Sequence, residues 1–189
     1  MITIVNFGSS KTPAIMEMVR GLGYDAQMIR WDEAHSSNFR NIDGIIFSGS
    51  PTMFTEAEPF PYFEKYDFVK TGKIPLLAIC FGHQLLGLMH GGTIFRDKEI
   101  RTTIAIDVVK EDLLFEGLSP QTAMAEDHTE GITLPPGFIH LATSVTYTVE
   151  GMRHPFLPLW GVQFHPEVSG DNGQKLVGNF LRFCGNTRR

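Results

Sequence analysis

A lone cysteine between an apolar run and a short amphipathic stretch is the first place in this chain where chemistry is legible. Ile74-Pro75-Leu76-Leu77-Ala78-Ile79 leads directly into Cys80, with Ala78 two residues before it and Gly82 two after. An apolar run opened by a proline and preceded by Thr71-Gly72-Lys73 predicts a buried parallel strand. Leu85, Leu86 and Met89 then recur at helical spacing, and Gly91-Gly92 supplies the stop. Cys80 is therefore expected on a sharp strand-to-helix turn, where small neighbours let a strained backbone push a side chain out above a sheet. The first N–H groups of the helix point at that sulfur and stabilise negative charge there. Taken alone, Cys80 fits a buried core thiol as well as a nucleophile.

The second stretch decides between them. In Leu159-Trp160-Gly161-Val162-Gln163-Phe164-His165-Pro166-Glu167, His165 and Glu167 lie two apart on an extended segment, so their side chains leave the same face. A cysteine nucleophile needs a base to take its proton, and the base needs an acceptor to fix its tautomer. His165 and Glu167 fill those roles in the chain order Cys, His, Glu. Attack on an acyl carbon creates an oxyanion, and N–H donors aimed at it are worth about 3–4 kcal/mol each. The N–H of Phe81, immediately after the cysteine, is the first such donor.

The rest of the chain supplies the frame. Ile2–Phe7, Ala26–Arg30 and Gly44–Phe47 are expected strands, with helices over Pro13–Leu22 and Tyr62–Lys70. Strand–helix alternation of this kind indicates a parallel sheet covered on both faces. Beyond Gly92 the pattern changes to short β-like pieces: Thr93–Phe95, Thr102–Val109, Thr122–Met124, Phe138–Ala142, Tyr147–Met152 and Leu159–Gln163. Gly173–Phe183 closes the chain as a helix. Gly8-Ser9-Ser10-Lys11-Thr12 invites comparison with a phosphate-binding loop, but Ser10 and Val5 stand where that loop needs glycines. An ordinary turn at a strand end is expected instead.

Length and composition bound the function. A chain of 189 residues is expected to form a single domain, spanning 1–189, with a full core. A hydrophobic content of 42% with 20% charged residues is ordinary for a globular protein, and no apolar run reaches the length of a membrane span. A net charge of −5 argues against a nucleic-acid partner, which calls for a basic stripe. The N-terminus lacks a basic region before its apolar stretch, so it reads as a strand and not as a signal peptide. Two cysteines, one already given a role, make no disulfide framework, and a reducing cytoplasm is the expected location. Cys184 is expected to pack a helix.

Cys80-x-Gly82-x-Gln84 taken with Gly161-Val162-Gln163-Phe164-His165-Pro166-Glu167 resembles the paired motifs of class I (triad-type) glutamine amidotransferases, and the resemblance spans nearly the whole chain. It implies a flavodoxin-like α/β fold, a mostly parallel central sheet flanked by helices, with extra short β strands. It implies hydrolysis of L-glutamine to glutamate and ammonia through a cysteinyl thioester, with Cys80, His165 and Glu167 catalytic. It also implies a second oxyanion donor from Gly49-Ser50-Pro51, which matches the family's Gly-Gly-Pro-like turn. Ser50 stands where a second glycine is usual, which leaves open whether the donor is preformed or needs a backbone flip. Gln84 is implied to contact the bound glutamine; without the resemblance, Gln84 and His83 would pass for the exposed face of a helix. No metal or cofactor is implied for the chain.

Ammonia loses its nucleophilic lone pair when protonated, so the family passes it internally to a synthetase. A second catalytic domain is not expected in this chain, and ATP would be used by a partner subunit. The text Glu126-Asp127-His128-Thr129-Glu130-Gly131-Ile132 and Val149-Glu150-Gly151-Met152-Arg153-His154 resembles the amidotransferase subunits of GMP synthase. That implies an ATP-pyrophosphatase partner. Those subunits usually carry Ser-His with an Asp two residues later, whereas this chain has Asp127-His128-Thr129-Glu130. His128 has two readings, a group that signals to the partner and an exposed loop histidine without a role. Arg153 and His154 are read as interface residues or a solvated turn. The run Phe54 to Phe63 is read as a docking surface or a loop packed on the domain. Anthranilate or aminodeoxychorismate synthesis is the alternative pathway. A stand-alone γ-glutamyl hydrolase and a silent regulatory module are the alternatives of other classes.

Overall fold

The computed structural model describes residues 1–186. In chain order the elements are β1 (Ile2–Asn6), α1 (Thr12–Gly21), β2 (Ala26–Arg30), β3 (Gly44–Phe47), α2 (Phe60–Tyr66), β4 (Leu76–Ile79), α3 (Phe81–Met89), β5 (Ile94–Ile100), β6 (Thr103–Val108), β7 (Gln121–Ala125), β8 (His128–Ile132), β9 (Ile139–Thr143), β10 (Gly151–Arg153), β11 (Leu159–Val162) and α4 (Gly170–Asn186). Nine strands form one sheet in the order β2-β1-β3-β4-β11-β10-β9-β6-β7. The five from β2 to β11 are mutually parallel, and β10, β9, β6 and β7 add to them antiparallel. This is the expected α/β architecture with a parallel centre.

The central strands read as unbroken apolar text because helices cover both faces. Every residue of β3, β4 and β11 is buried. One core lies beneath α1 and α4 (Ile4, Ile15, Val19, Leu77, Val162, Phe180); the other lies beneath α2 and α3 (Phe47, Tyr66, Leu76, Phe81, Leu85). Cys184 is in the first of these and seats α4 on β3, where a Cβ on Gly44 would lie 2.6 Å from its sulfur. That agrees with its expected packing role. Among the described residues no helix is long and apolar enough to cross a membrane.

Four elements depart from expectation. The β-like piece expected over Tyr147–Met152 is a strand only from Gly151, as β10. The helix expected over Tyr62–Lys70 is an α-helix to Tyr66 and then a 3₁₀ turn over Asp67–Thr71, closed by Gly72 at φ 62°. β5 runs through Arg96-Asp97-Lys98-Glu99 to Ile100, and His128–Ile132, expected to be a loop, is its antiparallel partner β8. Both were hard to see because neither alternates apolar with polar residues. β5 is charged along its exposed middle, and β8 buries His128, Glu130, Gly131 and Ile132.

The Phe54 to Phe63 run packs on the domain. Phe54 and Tyr62 are buried, with Phe54 stacked on Phe81 at 4.3 Å and Phe7 edge-on to Phe47 at 5.3 Å. Such pairs add about 0.5–1.5 kcal/mol each beyond area burial. Arg153 and His154 prove to be structural. Arg153 pairs with Asp112 at 2.7 Å, and His154 Nδ1 accepts from the N–H groups of Phe156 and Leu157 inside the β10–β11 turn. That turn precedes β11, at the opposite end of the sheet from Cys80.

Candidate active site

The C-terminal ends of the parallel strands meet at one pocket of about 380 Å³, whose lining includes Lys11, Ser50, Cys80, Phe81, Gln84, Asp127, His128, Glu130 and His165. This is where a doubly wound sheet places its ligand. A larger recess of about 770 Å³, formed by residues 108–120, holds neither cysteine nor histidine.

Cys80 has φ 51° and ψ −106°, one of two non-glycine residues with positive φ among those described. Such a conformation costs on the order of 1–3 kcal/mol and persists only where its surroundings impose it. Here β4 ends at Ile79, Cys80 N–H is held by Val162 C=O at 2.8 Å, and α3 begins at Phe81. Gly82 gives the turn its room. A Cβ there would lie 2.6 Å from Phe47 Cβ and 3.0 Å from the Phe47 carbonyl.

The strand end after β11 brings His165 to the same place. Its Nδ1 is 2.7 Å from Glu167 Oε1, and the ring is also hydrogen-bonded to Cys80. Burial pulls the His165 pKa down, but the Cys80 sulfur and the Glu167 carboxylate outweigh it and carry it to about 10. At neutral pH the ring holds a proton between sulfur and carboxylate. The three residues predicted from their spacing are thus in contact, although 85 positions separate the first two (165 − 80).

Phe81 N–H is the first of α3, where no helix carbonyl can reach it, and it borders the pocket with Ser50. Neither Gly49 nor Ser50 has positive φ, so the serine meets no backbone penalty. A Cβ on Gly49 would press on the base, 3.1 Å from His165 Cε1.

Gln84 and His83, which sequence alone would leave exposed, are buried. Gln84 Nε2 donates to Glu130 C=O at 2.9 Å and to Gln163 Oε1 at 3.2 Å, which leaves its own carbonyl oxygen for a ligand. His83 Nε2–H donates to Val149 C=O, and burial lowers its pKa to about 3, so it is neutral packing.

His128 is likewise a buried strand residue rather than an exposed loop histidine. Its Nδ1 donates to Glu130 C=O at 2.8 Å, and its Nε2 lies 2.9 Å from Glu126 Oε2. Glu150 completes the cluster, the three side chains bringing ligand-type atoms within 4.8 Å of one another. Burial raises Glu126 to about 7 and, with the nearby Glu126 charge, Glu150 to about 8. Shared protons therefore answer the burial of two carboxylates. Because their folded pKa values lie above the unfolded ones, their stability contribution is complete below about pH 4.5 and is lost as pH rises through 7–8. Glu150→Gln is expected to melt progressively higher than the parent as pH goes from 5 to 9, and a pH-independent gap in thermal melts would contradict this.

Three residues stand inside the motifs without their contacts being legible there. Glu130 accepts from the N–H groups of Phe54 and Thr55 and from the Thr55 hydroxyl, clamping the loop that borders the pocket. Asp127 forms an ion pair with Lys11 across the pocket mouth, with Arg101 3.6 Å away. Burial pushes its carboxyl up, but these cations hold it below the usual range. Lys11, the residue that suggested a phosphate loop, is occupied by this contact. Gln163 is the third, an amide on the same strand end as His165 and fully buried.

The family profile for class-I glutamine amidotransferases matches residues 3–183. The chain belongs to this family. Among its relatives, a glutamine-hydrolyzing GMP synthase subunit of Pyrococcus abyssi is 34% identical over 189 residues, covering 98% of this chain and 99% of its own. The corresponding subunit of Methanosarcina acetivorans is 41% identical over 145 residues, covering 75% of this chain and 74% of its own. Among solved family structures, a Thermoplasma acidophilum protein described as a candidate GMP synthase subunit superposes with a TM-score of 0.90 at 28% identity. That alignment covers 99% of this chain and 94% of the other.

Proposed function

We propose that this chain is the glutaminase subunit of a two-part GMP synthase, hydrolysing L-glutamine and delivering ammonia to an ATP-pyrophosphatase subunit. The observation that carries the reading is Cys80 on its strained turn in contact with His165, which Glu167 orients. Full-length similarity to a glutamine-hydrolyzing GMP synthase subunit supports the choice of pathway.

In this reading the Cys80 sulfur attacks the side-chain amide carbon, and the oxyanion meets the Phe81 N–H and the Gly49–Ser50 backbone. His165 gives its proton to the departing nitrogen, releasing ammonia and leaving a thioester. The neutral ring then takes a proton from water, which adds to the thioester, and glutamate leaves as sulfur regains its charge. Glu167 holds the ring's tautomer throughout. Gln84 offers its carbonyl oxygen to the substrate's ammonium. No step calls on a cofactor; ATP belongs to the partner, and the cytoplasm is the assigned location.

His128 is assigned to partner signalling through β8. The Glu130 carbonyl that receives His128 also receives Gln84, so a shift of β8 reaches the glutamine pocket.

The test is reconstitution. The purified chain is expected to release ammonia from glutamine slowly, and severalfold or more faster with an ATP-pyrophosphatase subunit, ATP and xanthosine monophosphate. Glutamine-dependent GMP should appear only with both subunits present. A rate indifferent to that partner, with no GMP formed, would refute the assignment.

A further inference from the structure

We propose that Gln163 is a further catalytic residue, its side-chain amide donating to the Cys80 sulfur and stabilising the negative charge that sulfur carries before attack and regains when it is expelled. The proposal rests on the glutaminase reading above and adds a group to it.

The geometry begins with the strand. Gln163 and His165 are two apart on the extended segment after β11, so both leave the face that meets Cys80. Gln163 is 0% exposed, and its Nε2 lies 3.6 Å from Cys80 Sγ, within hydrogen-bond range for sulfur. Its backbone N–H is held by Glu150 C=O at 2.9 Å, which extends the β10–β11 pairing and fixes the origin of the side chain.

Which end of the amide faces the sulfur is settled by its neighbour. Gln84 Nε2 donates to Gln163 Oε1 at 3.2 Å, and Gln84 is itself anchored by donating to Glu130 C=O. Turning the Gln163 amide over would set two NH₂ groups against each other and a carbonyl oxygen against an electron-rich sulfur. The chain of donors therefore runs one way, from Gln84 through Gln163 to Cys80.

His165 and Gln163 then differ in one chemically useful respect. The imidazolium must lose its proton to the leaving nitrogen, so its stabilisation of sulfur disappears part-way through each turnover. A primary amide does not titrate. Gln163 keeps its donor in place when the thiolate attacks, while the thioester stands, and when sulfur is expelled again, without adding a charge that would compete with His165.

The experiment reads the sulfur directly. Cys80 is alkylated with iodoacetamide in the absence of glutamine, and the modified peptide carrying residue 80 is quantified by mass at pH 7 and at pH 10. For Gln163→Leu the rate at pH 7 should fall about tenfold, the loss of one hydrogen bond to a charged group, and should approach the parent rate at pH 10. Gln163→Glu, which turns an acceptor toward the sulfur, should lose more; Gln163→Asn, whose amide is one methylene short, should fall between parent and Leu. With glutamine, kcat should drop tenfold or more while KM moves less than about threefold.

Equal alkylation of parent and variants at pH 7 would overturn the proposal. So would a loss in Gln163→Leu that is the same at both pH values, since that marks altered access. If Gln163→Leu fails to fold, the order of the Glu and Asn variants decides on the same criterion. Failure of the parent chain to hydrolyse glutamine would count against the glutaminase reading while leaving the alkylation comparison readable.

Discussion

Replacing Cys80 with alanine is expected to abolish ammonia release from glutamine, a loss of about 10⁴- to 10⁶-fold, with the fold retained. Alanine removes one sulfur atom from a site already open to the pocket, so melting should change little. Cys80→Gly separates chemistry from strain. It is equally inactive, yet a glycine at φ 51° and ψ −106° escapes the penalty that the cysteine bears. The glycine variant should therefore melt at least as high as the parent, where large-to-small changes at buried sites ordinarily lower stability. Retained glutaminase activity in either variant, measured by ammonia release, would remove the nucleophile from the account.

His165→Ala is the second large effect. It removes the proton donor to the leaving nitrogen and, with it, the cation that balances sulfur and carboxylate. Activity should fall nearly as far as in Cys80→Ala. Stability should fall too, because Glu167 is left buried without its partner at a cost of about 1–3 kcal/mol or more. The pH dependence carries a sign that can be checked. The folded His165 pKa of about 10 lies above the unfolded 6.5, so its contribution is complete below about pH 6.5 and is lost as pH rises toward 10. The alanine variant should lack that part of the alkaline decline. Glu167→Ala should lose less activity than His165→Ala, by roughly tenfold or more, because water can partly replace an orienting group. The reverse order in steady-state kinetics would show the two roles to be misassigned.

The elbow and the shared face of His165 and Glu167 were legible in sequence because local rules impose them, and the paired motifs of the family joined the two stretches. A nucleophile between a buried strand and a helix needs small neighbours, and a spacing of two on an extended segment puts two side chains on one face. The parallel centre of the sheet was legible for a similar reason, since strands covered on both faces are apolar throughout. What was not legible depends on partners distant in sequence. β8 reads as polar text because its histidine and glutamate are buried against groups from residues 54–55, 84, 126 and 150. Gln84 and His83 looked exposed because nothing local shows that the ribbon of β5 and β8 and the strand end after β11 close over that helix face. Asp127 looked like a departure from the expected pattern until Lys11, 116 positions away, appeared beside it.

The Glu130 clamp has a spatial consequence. The glutamate at this position reaches one carbon, roughly 1.5 Å, further than an aspartate would. The same residue's carbonyl holds Gln84, which lines the pocket, while its carboxylate holds Phe54 and Thr55, next in the chain to Met53 of the pocket wall. Residue 130 therefore ties α3 and the loop after β3 together from its two ends, and a one-carbon change there shifts one anchor relative to the other without touching any reacting group.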